Sequence, residues 1–430
     1  MKRLLTLLFA YACAIGMANA INPRIMQLLR EDSSRIGVIK HSYEFAVIQD
    51  ETAPGGYQPF YISHYGRHGS RSDWDYPRQK AIYEMLTRAD SLGKLTENGR
   101  ELLQITQEVM RREMGVNGRL TDRGEREHTR LAERMYKRFP KVFQGKQPNV
   151  NVVGSMVPRC LVSMAAFTNG LTRCNPRLEY DFDTGEHYQA YMFFTSIQPS
   201  EDDAKKAQVQ EVKRRIQTVH DSLMRSYRYD TAMCAQRLFT DTVGVKVGSV
   251  ARLQRSIYDM AAIAQDLEVP CNVFRYVDSM AVYAYIMDVT LYVTMNYGNV
   301  EGFAGDLRWV ADRTVKEIIA NADRAIQGGE NAPVADLRFG HDNSLLNLVS
   351  RLNISGVGSR MKVEEVEQKW VGSENLPMAS NLQLIFYRKS RGGDVLVKVL
   401  YNERERKVDG LQPVQGSYYR WQDLRAFWKP

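Results

Sequence analysis

Three widely separated stretches of this chain follow one grammar: a short apolar run, a polar or glycine-containing turn, then a helix-like segment. The first is Phe60-Tyr61-Ile62-Ser63-His64-Tyr65, followed by Gly66-Arg67-His68-Gly69-Ser70-Arg71. The second is Val150-Asn151-Val152-Val153, then Gly154-Ser155, then residues 156–171 with Arg159 in their first part. The third is the run 334–339, then Gly340-His341-Asp342-Asn343, then the apolar-periodic stretch 344–352. Such units read as strands feeding helices. In an open α/β sheet, ligands bind beyond the carboxyl ends of the strands. All three units place their most chemically useful side chains at that end. The expected fold class is therefore α/β, a central and mostly parallel sheet flanked by helices.

The rest of the 430 residues divides around this pattern. Thr121 is placed to cap a helix that runs to about Arg138 and stops before Pro140, with Asp122 and Glu125 in its first turn. Residues 200–330 are mostly helix-like, as in 205–225, 252–267 and 307–327, and the tyrosine-rich stretch 283–297 reads as a strand or as a buried helix. The runs 382–387 and 395–401 read as a strand pair with Gly392-Gly393 near its turn. The predicted organisation is a signal peptide over 1–20, an α/β core from 21–195 plus 331–430, and an inserted helical cap domain over 196–330.

Lys2 and Arg3, an apolar run over 4–17 and Ala18-Asn19-Ala20 form the pattern of a secretory signal with cleavage near Ala20. The expected location is periplasmic or secreted. No later stretch is apolar for long enough to suggest stable membrane insertion. The remaining cysteines, Cys160, Cys174, Cys234 and Cys271, allow two disulfides in any of three pairings or four free thiols. No Cys/His group has zinc spacing, so no structural metal is expected. The formal charge of +8 favours anionic partners. It lacks the basic tract with interleaved aromatics expected of a nucleic-acid binder, so the predicted partner is a small anion in a local arginine cluster.

Arg67-His68-Gly69-Ser70-Arg71 meets the needs of phosphoryl transfer. A neutral imidazole is a nucleophile toward phosphorus, and a covalent intermediate divides one hard displacement into two. Flanking guanidiniums neutralise the charge on the phosphoryl oxygens and grip them bidentately. Gly69 is expected to remove bulk where the turn approaches the ligand. Arg159 offers a third guanidinium, His341 a donor to a phosphate oxygen, and Asp342 a carboxylic acid able to protonate a leaving alkoxide. Taken singly, each has a plainer reading: a solvated histidine or arginine, or a His-Asp pair that only caps a helix.

The pentapeptide resembles the RHGxR signature of the histidine phosphatases, and Gly340-His341-Asp342 resembles the later His-Asp motif of their acid phosphatase and phytase branch. Leu120-Thr121-Asp122-Arg123-Gly124-Glu125 is similar to that family's LTxxG segment, and Arg159-Cys160-Leu161-Val162-Ser163 to the segment carrying its third arginine. Ala379-Ser380-Asn381-Leu382, Phe386-Tyr387 and Leu400-Tyr401-Asn402-Glu403 resemble the C-terminal region of multiple inositol polyphosphate phosphatases. The resemblance implies an α/β core with a helical cap, no metal or other cofactor, and a phosphohistidine intermediate. It assigns His68 as nucleophile, Arg67, Arg71, Arg159 and His341 as the phosphate clamp, and Asp342 as proton donor. It differs in two places. Ser72-Asp73-Trp74 stands where many phytases have a proline, and Asp342-Asn343 stands where the inositol polyphosphate branch often has Ala-Glu.

The function so implied is hydrolysis of phosphate monoesters, with inositol polyphosphates such as phytate preferred. The alternatives are a broad-specificity acid or sugar-phosphate phosphatase, a phosphate-binding protein without catalysis, and a metal-dependent hydrolase. Other residues take plainer readings. His64 is structural, His128 is solvated on a charged helix, His187 is more often structural than a lining of the cleft, Lys213-Arg214-Arg215 is a wet helix face, and the 283–297 aromatics are core.

Overall fold

The computed structural model describes residues 21–73, 76–144, 148–192, 203–230, 232–329, 332–390 and 393–430. The predicted signal peptide, Trp74 and Gly392 lie outside them. Among the described residues, eight strands form one sheet in the order β3-β2-β4-β1-β5-β6-β7, with β8 paired to β6. They are β1 (Gln58–Arg67), β2 (Asn149–Gly154), β3 (Glu179–Asp183), β4 (Ala335–Gly340), β5 (Asn381–Arg388), β6 (Val395–Tyr401), β7 (Arg404–Glu405) and β8 (Tyr418–Arg420). The core strands β3, β2, β4 and β1 are parallel, and β5 to β8 extend the sheet antiparallel. This is the α/β fold with a parallel core that the three units predict.

Both faces of the central strands are covered, which is why β1 and β4 read as nearly unbroken buried runs. Ile62, Leu337, Phe339 and Ile385 pack with Leu131, Met135, Phe167 and Leu171 on one face. The helices Asp122–Arg138 and Pro158–Cys174 supply that layer, and they touch closely because Gly170 has no side chain: a Cβ there would lie 2.6 Å from the Thr129 carbonyl oxygen. On the other face, Tyr61, Tyr65, Leu384 and Phe386 join a larger cluster that includes Ile257, Met260, Tyr283 and Met287.

Those last residues come from the stretch between β3 and β4, which holds the helices Asp203–Met224, Met233–Leu238, Val250–Ala264, Ser279–Tyr297 and Asp312–Gln327 and, among the described residues, no strand. The tyrosine-rich run is a helix. Asp278 caps it by accepting from the Met280 and Ala281 amides, and most of its circumference is buried, so it shows no period-two alternation. Among the described residues, no helix is long and apolar enough to cross a membrane. The four cysteines are free thiols.

The register aligns the three predicted turns. Arg67 at the end of β1 lies opposite Gly340 of β4, and Gly154 of β2 lies opposite Phe339. The chain therefore leaves all three strands at one edge of the sheet.

Candidate active site

Arg67 is the last residue of β1 and is 1% exposed. Its Nη1 donates to the carbonyls of Ile39 (2.5 Å), Leu376 (2.9 Å) and Pro377 (3.1 Å), and its Nη2 to Asp342 Oδ2 at 2.8 Å. The guanidinium is thus immobilised before any ligand arrives. Its backbone amide donates to Ser380 O, and the Ala379 amide donates to His68 O. The C-terminal segment Ala379-Ser380 therefore acts by holding the Arg67-His68 backbone.

His68 is buried, and its amide donates to Gly340 O at 3.0 Å, which ties the turn after β1 to the end of β4. Its ring Nδ1 lies 3.0 Å from Gly69 O. A carbonyl only accepts, so Nδ1 carries the proton and Nε2 keeps its lone pair. Burial, then the charges of Arg159, Arg67 and Arg71, hold the imidazole well below its ordinary pKa. The ring is neutral, with one nitrogen committed and the other carrying a free lone pair, as a nucleophile requires.

The reason for Gly69 differs from the expectation. A Cβ there would meet Gly124 O at 2.7 Å and Gly124 Cα at 2.8 Å, and a Cβ on Gly124 would meet Ser70 O at 2.3 Å. The two glycines let the turn after β1 lie against the first turn of helix Asp122–Arg138, so Gly69 serves packing. Thr121 caps that helix and its amide donates to Ser70 O. Glu127, from the same helix and buried, accepts from the Ser70 amide and hydroxyl (2.8 Å each) and from the Tyr43 amide (3.0 Å). Ser163 Oγ accepts from the Gly69 amide.

The other predicted residues meet His68. His341 follows β4, and its ring centroid lies 5.7 Å from that of His68. Arg159 Nη2 lies 3.1 Å from His341 Nδ1, so Nδ1 accepts and the proton on Nε2 points to Ser155 Oγ at 2.9 Å. Burial and the adjacent Arg159 push the His341 imidazole down to about 3. Arg71 reaches its own turn through Ser72 O, and burial with the charges of Arg159 and Arg67 lowers it to about 10. Arg159 is also lowered by burial. Three guanidiniums gathered around two neutral imidazoles, with Arg71 and Arg159 both depressed, are a site built for a multivalent anion.

Asp342 opens helix Asp342–Arg351 and is half-buried; its Oδ1 accepts from the Asn343 amide. Burial raises the carboxyl, but Arg67, His341 and that amide outweigh it and hold it below the usual range. The resting carboxyl is therefore ionised.

Sequence reasoning missed several supports. Ser163 lies inside the Arg159–Ser163 segment, and Glu127 lies two residues past the Leu120–Glu125 segment, in the helix that Thr121 caps. Asp266 had no sequence signal. It comes from the helical stretch between β3 and β4, and it accepts from Ser42 Oγ at 2.9 Å and lies 3.5 Å from the Arg71 amide. His128 is a correction: it is 1% exposed, packed against Phe167 and Phe339, and burial drives it down to about 3. His64 is buried against the same two rings, as a structural residue should be. His187 is exposed with its ring tilted against that of Tyr188, and Lys213, Arg214 and Arg215 are exposed.

Asp32, His41 and Glu44 are the group of imidazole and carboxylate ligands near enough to one another to hold an ion among the described residues. Their atoms already have protein partners: Arg35 binds Glu44 at 2.6 and 2.7 Å, and Gln265 lies 3.0 Å from His41 Nδ1.

The sequence profile of the histidine phosphatase superfamily (branch 2) matches residues 66–402. Among solved structures, the multiple inositol polyphosphate phosphatase of Bifidobacterium longum in complex with inositol hexasulfate superposes with a TM-score of 0.73 at 17% identity, over 92% of this chain and 97% of that one. A phytase from D. castellii superposes with a TM-score of 0.62 at 12% identity, over 92% of this chain and 84% of that one. The Klebsiella sp ASR1 phytase gives 0.51 at 12% identity, over 87% and 95%. At these identities the likeness is one of fold. No curated protein sequence matches the chain.

Proposed function

The chain belongs to branch 2 of the histidine phosphatase superfamily and is a phosphatase, and we propose that it hydrolyses inositol polyphosphates such as phytate through a phosphohistidine at His68. The observation that carries the mechanism is the commitment of His68 Nδ1 to Gly69 O, which leaves the Nε2 lone pair free among Arg67, Arg71 and Arg159.

The steps follow from the residues. Arg67, Arg71 and Arg159 take the phosphoryl oxygens, and His341 completes the clamp and orients Arg159. Nε2 of His68 attacks phosphorus in line with the ester oxygen. The P–N bond forms, the P–O bond breaks, and Asp342 gives its proton to the departing alkoxide. Asp342 then takes a proton from water, which attacks phosphorus, breaks the P–N bond and releases orthophosphate. A resting Asp342 that is ionised acquires its proton because a bound phosphoryl dianion competes for Arg67 Nη2 and adds negative charge beside the carboxylate. Both effects raise its pKa. Substrate binding and proton uptake are thereby linked.

Residues 196–330 act as a cap over the phosphate site, and residues 1–20 direct export, with cleavage near Ala20 to a periplasmic or extracellular enzyme. N-terminal sequencing of the exported protein checks the last point.

Acid-quenching the enzyme with ³²P-labelled substrate should trap labelled protein. No label on wild type, or undiminished label on His68→Ala, rules out the covalent route. Full activity in EDTA is expected; loss of activity there would favour the metal-dependent alternative. Comparing kcat/KM for phytate and an aryl phosphate tests the substrate. Equal or poorer use of phytate removes the inositol assignment and favours a broad-specificity acid phosphatase.

A further inference from the structure

A cavity of about 350 Å³ opens beside the carboxyl of Asp342, lined by Ile39, Arg255, Val289, Tyr292, Tyr297 and Asn343 among others. A leaving group that takes its proton from Asp342 departs into this space. Tyr292 is 51% exposed, so the tyrosine-rich helix, which is otherwise core, turns one ring to solvent here.

Arg255 is the cation of that wall. Its Nε lies 3.2 Å from both oxygens of Asp259, and its Nη1 donates to Asp288 Oδ2 at 2.6 Å. The guanidinium carbon sits 5.0 Å from the Tyr285 ring centroid. Two carboxylates and an aromatic face therefore fix the plane of the fork, while Nη2 has no hydrogen-bond partner among the described residues. The side chain is 35% exposed. Both carboxylates are shared with other cations: Arg78 Nη1 lies 3.0 Å from Asp259, and His220 Nε2 lies 3.2 Å from Asp288. Arg255 thus shares each of its carboxylate partners with a second cation. A guanidinium held rigid by two of its nitrogens presents the third with little ordering left to lose, and phosphate oxygens match that geometry.

We infer that Arg255 is a specificity-determining residue that receives a second phosphate carried by the leaving group, while Tyr292 and Tyr297 face its ring. The inference rests on the phosphatase assignment and deepens the substrate reading. It separates polyphosphorylated leaving groups from simple ones, because an aryl or alkyl leaving group has nothing to offer Arg255.

The test uses Arg255→Gln and Arg255→Lys in the full mature chain. For Arg255→Gln, kcat/KM on inositol hexakisphosphate is expected to fall roughly tenfold or more, the size of a lost charge-assisted hydrogen bond. On p-nitrophenyl phosphate it should stay within about twofold. The inhibition constant of inositol hexasulfate should rise in parallel, and that of orthophosphate should not move. Arg255→Lys keeps a cation between Asp259 and Asp288 and protects the fold if the glutamine variant is unstable. It should still lose roughly threefold or more in selectivity, because a point donor does not reproduce the fork. Unchanged selectivity in the lysine variant, equal loss on both substrates, or an unchanged hexasulfate constant overturns the inference. A wild type that ignores inositol hexakisphosphate, yet prefers fructose 1,6-bisphosphate to fructose 6-phosphate through Arg255, would sink the inositol reading and leave this one standing.

Discussion

Arg67 Nη2 and Asp342 Oδ2 are 2.8 Å apart, so in the resting site the assigned acid sits on the guanidinium assigned to phosphate. The pair joins the end of β1 to the residue after His341, and in the proposed mechanism it links the ionisation of the acid to the filling of the anion site. Its contribution to stability has the sign of a depressed carboxyl: present above the unfolded-state pKa and lost as pH falls through the lower folded one.

Asp342→Asn keeps the shape and removes the proton. Turnover of substrates with basic alkoxide leaving groups should drop about 10²–10⁴-fold, and turnover of an activated aryl phosphate far less. Measuring kcat on inositol and p-nitrophenyl substrates decides it. Equal slowing would take the acid role from Asp342.

Arg159 helps keep His68 neutral, second only to burial. Removing that charge in Arg159→Gln favours the imidazolium, so the His68 pKa rises. The acid limb of the kcat/KM profile should move to higher pH, and KM should rise roughly tenfold or more from the lost phosphate contact. A profile that keeps its acid limb while KM rises would mean Arg159 grips phosphate without tuning the nucleophile.

Gly124→Ala drives a methyl to 2.3 Å from Ser70 O, a backbone atom held in place by the Thr121 amide. The expected cost is about 1–3 kcal/mol of overpacking. Because Ser70 adjoins the nucleophile's turn, kcat should fall beyond what reduced folding explains. Thermal melting and kcat on the same preparation check this. Unchanged values for both would show that the turn yields without consequence.

Three acids near the phosphate turn, Glu127, Asp266 and Glu113, are raised rather than lowered. Burial pushes both Asp266 and Glu113 up to about 7; the Glu127 charge adds to the effect on Asp266, while the Asp73 amide offsets part of that on Glu113. A carboxyl with a raised folded pKa binds its proton more tightly in the native state. Stability should therefore decline as pH rises from about 4 to about 7 and level off above. Asp266→Asn removes one titrating group and should flatten that decline in a series of melting temperatures. A slope identical to wild type would contradict the assignment.

The legible parts of this molecule share one property. The local signals lie within about twenty residues: Thr121 before its helix, Gly154 at the end of β2, Gly340-His341 before the helix at Asp342. His128 was misread because a histidine among Arg126, Arg130 and Glu125 is locally a surface residue. Helix Asp122–Arg138 turns it onto Phe167 and Phe339 instead, and neither is near it in the chain. Gly69 was assigned to the ligand because its clash partner, Gly124, lies 55 positions away in sequence (124 − 69).

The amino-acid order by itself determined the chemistry available: an imidazole between two arginines, a third arginine, a His-Asp pair, and strand ends to carry them. Tertiary structure alone decided which nitrogen of His68 keeps its lone pair, that Asp342 rests on Arg67, that Asp266 reaches the turn after β1, and that Arg255 lines the cavity beside Asp342. The physical reason is range. Propensity and periodicity act over a few residues, whereas protonation state, desolvation and steric exclusion depend on atoms brought within a few ångströms by folding.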